Sequence, residues 1–304
     1  MASAGASAFA SSEGPIEFVI PFGAGGGADI EGRILAKEMS KVLGVPLVPV
    51  NKPGGGGAVA YTYLKNAKPD GHTVAWNSTS ILTTTNLGNT EFGYDALDHI
   101  GRVEFQPQPF VVRGDSEWDS FADFVAACKT APNTLKVANS GTGSSTHAAA
   151  IMLMAAADCQ VIHLPKGIKG RNQSVLNGEA DAMIAPLTGA VNLTNAGKLK
   201  ILVMPTAERN SLFPDVPTAR ELGYDAELDL FRGLSVPKGT SDALKEQLAD
   251  AMAKAARSEA FMGLADKKGF TVAPTGYKAF AAFLANEDAK VKAIFQDAGL
   301  YKTN

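Results

Sequence analysis

"VIPFGAGGGADIEGRILAKEM", residues 19–39, reads as an apolar strand that runs through a glycine-rich turn into a helix. Gly23, Gly25 and Ala28 match the dinucleotide pattern G-x-G-x-x-G/A, whose small residues permit a tight turn and close backbone approach to a pyrophosphate. Working outward, "IEFVIPF" (16–22) and "VPLVPV" (45–50) are short apolar runs bounded by Gly, Pro and Asn, as expected of buried strands in a parallel sheet. Between them Ile30, Ile34, Leu35, Met39 and Val42 recur at helical spacing, and Gly44 stands where a helix would end. The stretch is therefore a βαβ unit. "NKPGGGGAVAYTYLKNA" (51–67) repeats the glycine-to-helix pattern, and "HTVAWNSTSIL" (72–82) is a strand opening into a hydroxyl-rich loop.

A second α/β series begins near "FVVRGDSEW" (110–118). Its "LKVAN" and "QVIHLP" read as strands, and "SGTGSSTHAAAIMLMAAA" as another glycine loop feeding a helix. The segment "PKGIKGR" reads as a loop. Beyond "LDLFRGLSVPKG" (228–239) the chain turns helical again, with Ser241 a plausible N-cap and Leu244, Leu248 and Met252 at four-residue steps. The expected architecture is α/β with two lobes, each a β-sheet flanked by helices. Lobe 1 comprises 15–111 and 232–304, lobe 2 comprises 112–231, and the chain crosses near 110–113 and 229–233, leaving a cleft between.

Composition narrows the function classes. The chain has 304 residues, 45% hydrophobic, enough for two cores. Its 28 basic and 31 acidic residues give a formal charge of −3 without a basic, aromatic-interleaved stripe, so nucleic acid is not an expected partner. No apolar run approaches the roughly 20 residues of a membrane span. The opening "MASAGASAFASSEG" (1–14) reads as a disordered N-terminus from which an export signal has already gone. Cys128 and Cys159 could form a bridge in an oxidising compartment or be two independent buried thiols.

Three glycine-rich junctions, 23–27, 54–57 and 141–143, each feed a helix, whose N-terminal N–H groups and partial positive charge suit an anion. Ser78, Thr79, Ser80, Thr142, Ser144 and Ser145 could add hydroxyl donors there or simply serve as caps. A dinucleotide site would want an acidic residue after the second strand, where the sequence has Asn51 and Lys52. No Gly-Lys-Ser/Thr ending supports a P-loop, and neither Ser144 nor Ser145 has the G-x-S-x-G frame of a hydrolase nucleophile. The four histidines show no pair at metal-ligand spacing, so neither a metal nor a cofactor is expected. His147 is either a first-turn helix residue or a ligand contact. Asp29 reads as a cap or a holder of water, with direct binding of a ligand amino group as the alternative. Of Lys166, Lys169 and Arg171, one is expected to face the cleft, and Arg232 at the second crossing could clamp a carboxylate or form a structural salt bridge.

The stretches quoted, together with "ANSGTGSSTHAAA", "LNGEADAMIAP" and "AGKLKILVMPTAERNSLFPDVPTARELGY", closely resemble the Bug (Bordetella uptake gene) family, the periplasmic solute-binding proteins of tripartite tricarboxylate transporters. The resemblance runs from about residue 15 to the C-terminus. It implies a non-catalytic Venus-flytrap protein of the periplasmic-binding-protein type. Such a protein, expected to act as a monomer, holds a small carboxylate between its lobes and delivers it to a membrane permease. It further implies that the loop Pro21, Phe22, Gly23, Ala24, Gly25 to Asp29 and the loop Gly141, Thr142, Gly143, Ser144, Ser145 grip the carboxylate from opposite lobes, and that Asn77 to Ser80 line the same cleft. Where the family often carries an aromatic, this chain has Lys166. A second acidic group on the ligand would suit Lys166 or Arg232, which favours a di- or tricarboxylate. The alternative class is an α/β enzyme acting on a carboxylate or nucleotide.

Overall fold

The structure is a computed structural model, described for residues 14–302. Residues 1–13 of the expected disordered N-terminus lie outside the described residues. The first pass of the chain forms β1 (Ile16–Ile20), α1 (Gly27–Leu43), β2 (Leu47–Asn51), α2 (Ala58–Lys65), β3 (Thr73–Ser78), α3 (Ser80–Asn86) and β4 (Leu97–Gln106). A second series follows: β5 (Phe110–Arg113), α4 (Phe121–Thr130), β6 (Lys136–Asn139), α5 (Ser145–Ala156), β7 (Ile162–Pro165), α6 (Gly167–Leu176), β8 (Ala182–Ile184), α7 (Leu187–Asn195) and β9 (Leu199–Val203). The chain then returns through β10 (Leu230–Pro237), α8 (Asp242–Ala256), α9 (Glu259–Lys268), β11 (Thr271–Val272) and α10 (Tyr277–Asp297).

Two sheets result, one ordered β11-β4-β10-β3-β1-β2 and the other β7-β6-β8-β5-β9. The βαβ core is parallel as expected, with Ile16 opposite Leu47 and Glu17 opposite Thr73. Each sheet also takes an antiparallel strand from a crossing: β10 lies between β3 and β4, and β5 between β8 and β9. The chain therefore changes sheet between Gln106 and Phe110 and returns ahead of Leu230. Phe110–Arg113, where the first crossing was expected, is already a strand of the second sheet.

Local chemistry explains the junction that feeds the site. Gly26, in extended conformation, precedes α1, and Gly44 ends it at φ 73° with its N–H donating to the carbonyl of Ser40. Gly32 lets α1 lie close to the sheet, because a Cβ there would meet Trp76 at 3.0 Å and Phe18 at 3.2 Å. The "STSIL" end of β3 departs from expectation: the strand stops at Ser78 and α3 begins at Ser80, so the hydroxyl-rich segment is a helix start. "PKGIKGR" differs likewise, since α6 starts at Gly167 and carries Arg171 on a helix.

In α10, Phe280, Leu284, Val291 and Phe295 recur on one face and are buried. They belong to one core cluster with Phe110, Phe121 and Phe124 of the second lobe and with Val19, Ala60 and Ile81 of the first. Cys128 and Cys159 form a disulfide, with Cα atoms 5.8 Å apart, tying the end of α4 to the chain after α5. Among the described residues no helix is long and apolar enough to cross a membrane.

Candidate ligand-binding site

The first glycine loop is held in shape by Asp29. Its Oδ2 accepts from the N–H of Gly25 at 2.9 Å, and its Oδ1 accepts from Arg33 Nε at 2.8 Å and Asn51 Nδ2 at 2.9 Å. Asn51 Nδ2 also donates to the carbonyl of Phe22 at 2.8 Å. Burial alone would raise the Asp29 pKa, but the Gly25 amide, Asn51 and Arg33 outweigh it and hold the carboxyl below its usual value. Every strong contact of this carboxylate is thus internal. Asp29 braces the loop, and Asn51, the residue that argued against a dinucleotide site, is part of the same brace.

The opposite loop is ordered by the same means. Ser144 caps α5, its Oγ accepting from the His147 amide at 3.3 Å, and Asn139 Oδ1 accepts from the Gly141 amide at 3.0 Å. Gly143 N–H donates to His147 Nδ1 at 3.3 Å, while Thr83 Oγ1 donates to the Gly143 carbonyl across the lobe boundary at 2.5 Å. Burial first, and then the neighbouring His163, lower His147 to a pKa of about 4. The ring is therefore neutral near pH 7, as an acceptor at Nδ1 requires, and it supports the loop.

Between the lobes lie two adjoining spaces. An outer cleft of about 740 Å³ is lined by Phe22, Gly23 and Gly54–Gly57 on one side and by Ser140, Gly141, Thr142 and Lys166–Gly170 on the other. Behind it an inner chamber of about 20 Å³ is bounded by Gly27 and Ala28 of α1, Ser144, Ser145 and Thr146 of α5, and Ile168, Arg171 and Arg232. Ile168 stands between the two, so near Gly26 that a Cβ on that glycine would lie 2.7 Å from its side chain. Gly56, at φ 70°, touches the facing loop: a Cβ there would fall 2.8 Å from the carbonyl of Thr142 and 2.9 Å from the amide of Ser144. The lobes are in direct contact.

Two helix N-termini from opposite lobes meet at the inner chamber. The amides of Gly27 and Ala28 in α1, and of Ser145 and Thr146 in α5, are first-turn donors beyond the reach of their own helical ladder, and none has an acceptor among the described residues. Four donors with two helix dipoles behind them form an anion cradle. Both helices are long enough, at 17 and 12 residues, to carry a developed dipole.

The chamber's two arginines differ. Arg232, 2% exposed, is ion-paired through Nε with Glu31 of α1 and, at 3.6 Å, with Glu104 of β4. Burial and the charge of Glu31 push the Glu104 pKa well above the usual carboxylate range, which favours its protonated form. Of the two readings of Arg232, the structure supplies the salt bridge. Arg171, 1% exposed, donates from Nη1 to Ser140 Oγ at 2.6 Å and from Nε to Asn172 Oδ1 at 3.1 Å, and among the described residues no carboxylate pairs with it. Burial lowers its pKa to about 10, so it remains charged near pH 7.

The remaining expected residues divide. Phe22, Gly23, Gly141, Thr142 and Lys166 line the outer cleft, although Lys166 Nζ is ion-paired with Glu179. Ser144 and Ser145 line the inner chamber, whereas buried Pro21 and exposed Ala24 and Gly25 line neither space. Asn77 to Ser80 line neither space, contrary to expectation. Asn77 donates to Ser235 Oγ at 2.7 Å, Ser78 bonds Ser80 Oγ at 2.9 Å, Ser80 bonds the Tyr61 hydroxyl at 2.5 Å, and Thr79 Oγ1 accepts from the Phe231 amide at 3.0 Å. These hydroxyls and the Asn77 amide nitrogen are paired inside the first lobe, beside the second crossing, while Asn77 Oδ1 is buried without a partner. Of Lys166, Lys169 and Arg171, the one that reaches the inner chamber is Arg171, which lines it with Arg232, while Lys166 and Lys169 line the outer cleft. Helical spacing of buried Arg171, Ser174 and Val175 was the available signal, masked by reading that segment as a loop.

A family profile described as the tripartite tricarboxylate transporter family receptor, TctC, matches residues 32–300. The chain belongs to this family. The receptor is 30% identical, over 95% of its own length and 88% of the relative's, to the UPF0065 protein in the gbd 5' region of Cupriavidus necator. Among solved structures it resembles the periplasmic binding protein BugD, with 26% identity, TM-score 0.90, and coverage of 96% of this chain and 100% of that one. It also resembles MatC of Rhodopseudomonas palustris, solved with malate bound, with 25% identity, TM-score 0.86, and coverage of 92% and 98%. The two-lobed solute-binding fold that the family resemblance implied is the fold of these neighbours, and the family's role is solute reception, so the enzyme alternative is not favoured.

Proposed function

We propose that this receptor captures a small carboxylate between its lobes in the periplasm and presents it, as a monomer, to the membrane permease of a tripartite tricarboxylate transporter. The observation that carries the reading is the convergence of four first-turn amides, two from each lobe, on one enclosed chamber. A carboxylate placed there joins the lobes, because each supplies donors the other cannot. Malate in the related MatC is in keeping with such a ligand. The disulfide suits an oxidising compartment, and BugD is itself periplasmic. The energetics suffice: a micromolar complex needs about 8 kcal/mol, and several hydrogen bonds to a charged group supply about 1.5–3 kcal/mol each before ordering costs.

A thermal-shift panel tests this. Small carboxylates are expected to raise the melting temperature in proportion to the logarithm of their concentration, while NAD and ATP leave it unchanged. Stabilisation by the nucleotides alone would overturn the proposal.

A further inference from the structure

The two chamber arginines pose a contrast that the fold does not explain. Arg232 is buried and ion-paired with Glu31, with Glu104, held toward its protonated form, beside it. Arg171 is equally buried, yet its partners, Ser140 Oγ and Asn172 Oδ1, are both neutral, and no acidic residue lines the chamber it faces. Its remaining nitrogen, Nη2, donates to no chain acceptor among the described residues and lies beside Gly189, where a Cβ would come within 3.3 Å of it. A buried guanidinium without a counter-charge is costly, because water is lost and no ion replaces it. Folds retain such groups where a ligand supplies the missing charge.

We infer that Arg171 is the counter-ion of an acid group on the ligand and the residue that makes recognition depend on a second negative charge. The reasoning is one of charge balance and rests on the carboxylate reading above. The α1 and α5 N-termini each offer about half a positive charge, which one carboxylate meets. Arg171 adds a whole charge on the same chamber. A monocarboxylate leaves one of these sources unmet, whereas a short dicarboxylate satisfies both, one group on the amides and one on the planar fork of Arg171. The inner chamber, about 20 Å³, has room for about one water and not for a diacid. Loading therefore requires the lobes to part and Ile168 to leave Gly26, and the ligand sits where Ile168 now separates the inner chamber from the outer cleft. Lys166, already ion-paired with Glu179, is not needed for the second charge.

The test is a cycle between protein and ligand, read by calorimetry. Succinate and malate are compared with their monoamides on the wild-type receptor and on Arg171→Gln. Wild type is expected to prefer each diacid to its monoamide by at least about tenfold. In Arg171→Gln that preference collapses to within about threefold, through loss of diacid affinity with the monoamide's affinity retained. Arg171→Lys, which keeps the charge and loses the fork, is expected to hold part of the preference, and it serves if the glutamine variant does not fold. Equal binding of diacid and monoamide by wild type, or a preference that survives in Arg171→Gln, would overturn the assignment. Absence of binding by any of the four acids would instead count against the carboxylate reading itself.

Discussion

At the scale of single residues, the site is made by what is missing as much as by what is present. Gly56 occupies a left-handed conformation and meets the facing lobe with its bare Cα, so Gly56→Ala carries two penalties. Strain in the left-handed region costs about 1–2 kcal/mol, and the new methyl would press on Thr142 and Ser144 only when the lobes meet. The expected result is a modest loss of apo stability with a fall in carboxylate affinity of tenfold or more, measured by calorimetry; unchanged affinity would show that closure does not bring these loops together. Single residues were also where sequence reading went furthest astray. Glycines advertise their role because few other residues fit such turns. Asn77 to Ser80 look like ligand donors, yet any buried strand end rich in hydroxyls must first satisfy itself. Arg171 could not be distinguished from a solvated charge until burial was known.

At the scale of elements, the βαβ units were legible because apolar periodicity and glycine punctuation agree there. Gly44 ends α1, and the Ser241 side chain accepts from Leu244, as their positions suggested. The starts of α3 and α6 were not legible: "STSIL" opens on hydroxyl and β-branched residues and "KGIKGR" carries two glycines, which weaken the local helix signal. The pairing of Cys128 with Cys159 was equally open, because spacing in sequence carries no distance. With the bridged positions 31 apart in sequence, the disulfide restricts the unfolded chain by about 3–4 kcal/mol in the loop-entropy picture. Reduction is therefore expected to lower the melting temperature by several degrees while leaving carboxylate affinity nearly unchanged, since the bridge lies away from both chambers. A loss of binding on reduction of still-folded protein would contradict that separation of roles.

At the scale of the whole molecule, the two sheets flanked by helices follow from the sequence pattern, although the first crossing falls earlier than expected, between Gln106 and Phe110. The division of labour inside the cleft does not follow from it. The glycine loops, braced by Asp29 on one side and His147 on the other, present amides; Arg232 is taken up by the framework; Arg171 is left over for the ligand. The account's central claim is that one small acid is held simultaneously by the N-termini of α1 and α5. A crystal structure grown with whichever acid stabilises the protein most would test it directly. The account predicts carboxylate oxygens within about 3 Å of the first-turn amides of both Gly27–Ala28 and Ser145–Thr146; an acid bound to one lobe alone, or outside the cleft, would contradict it.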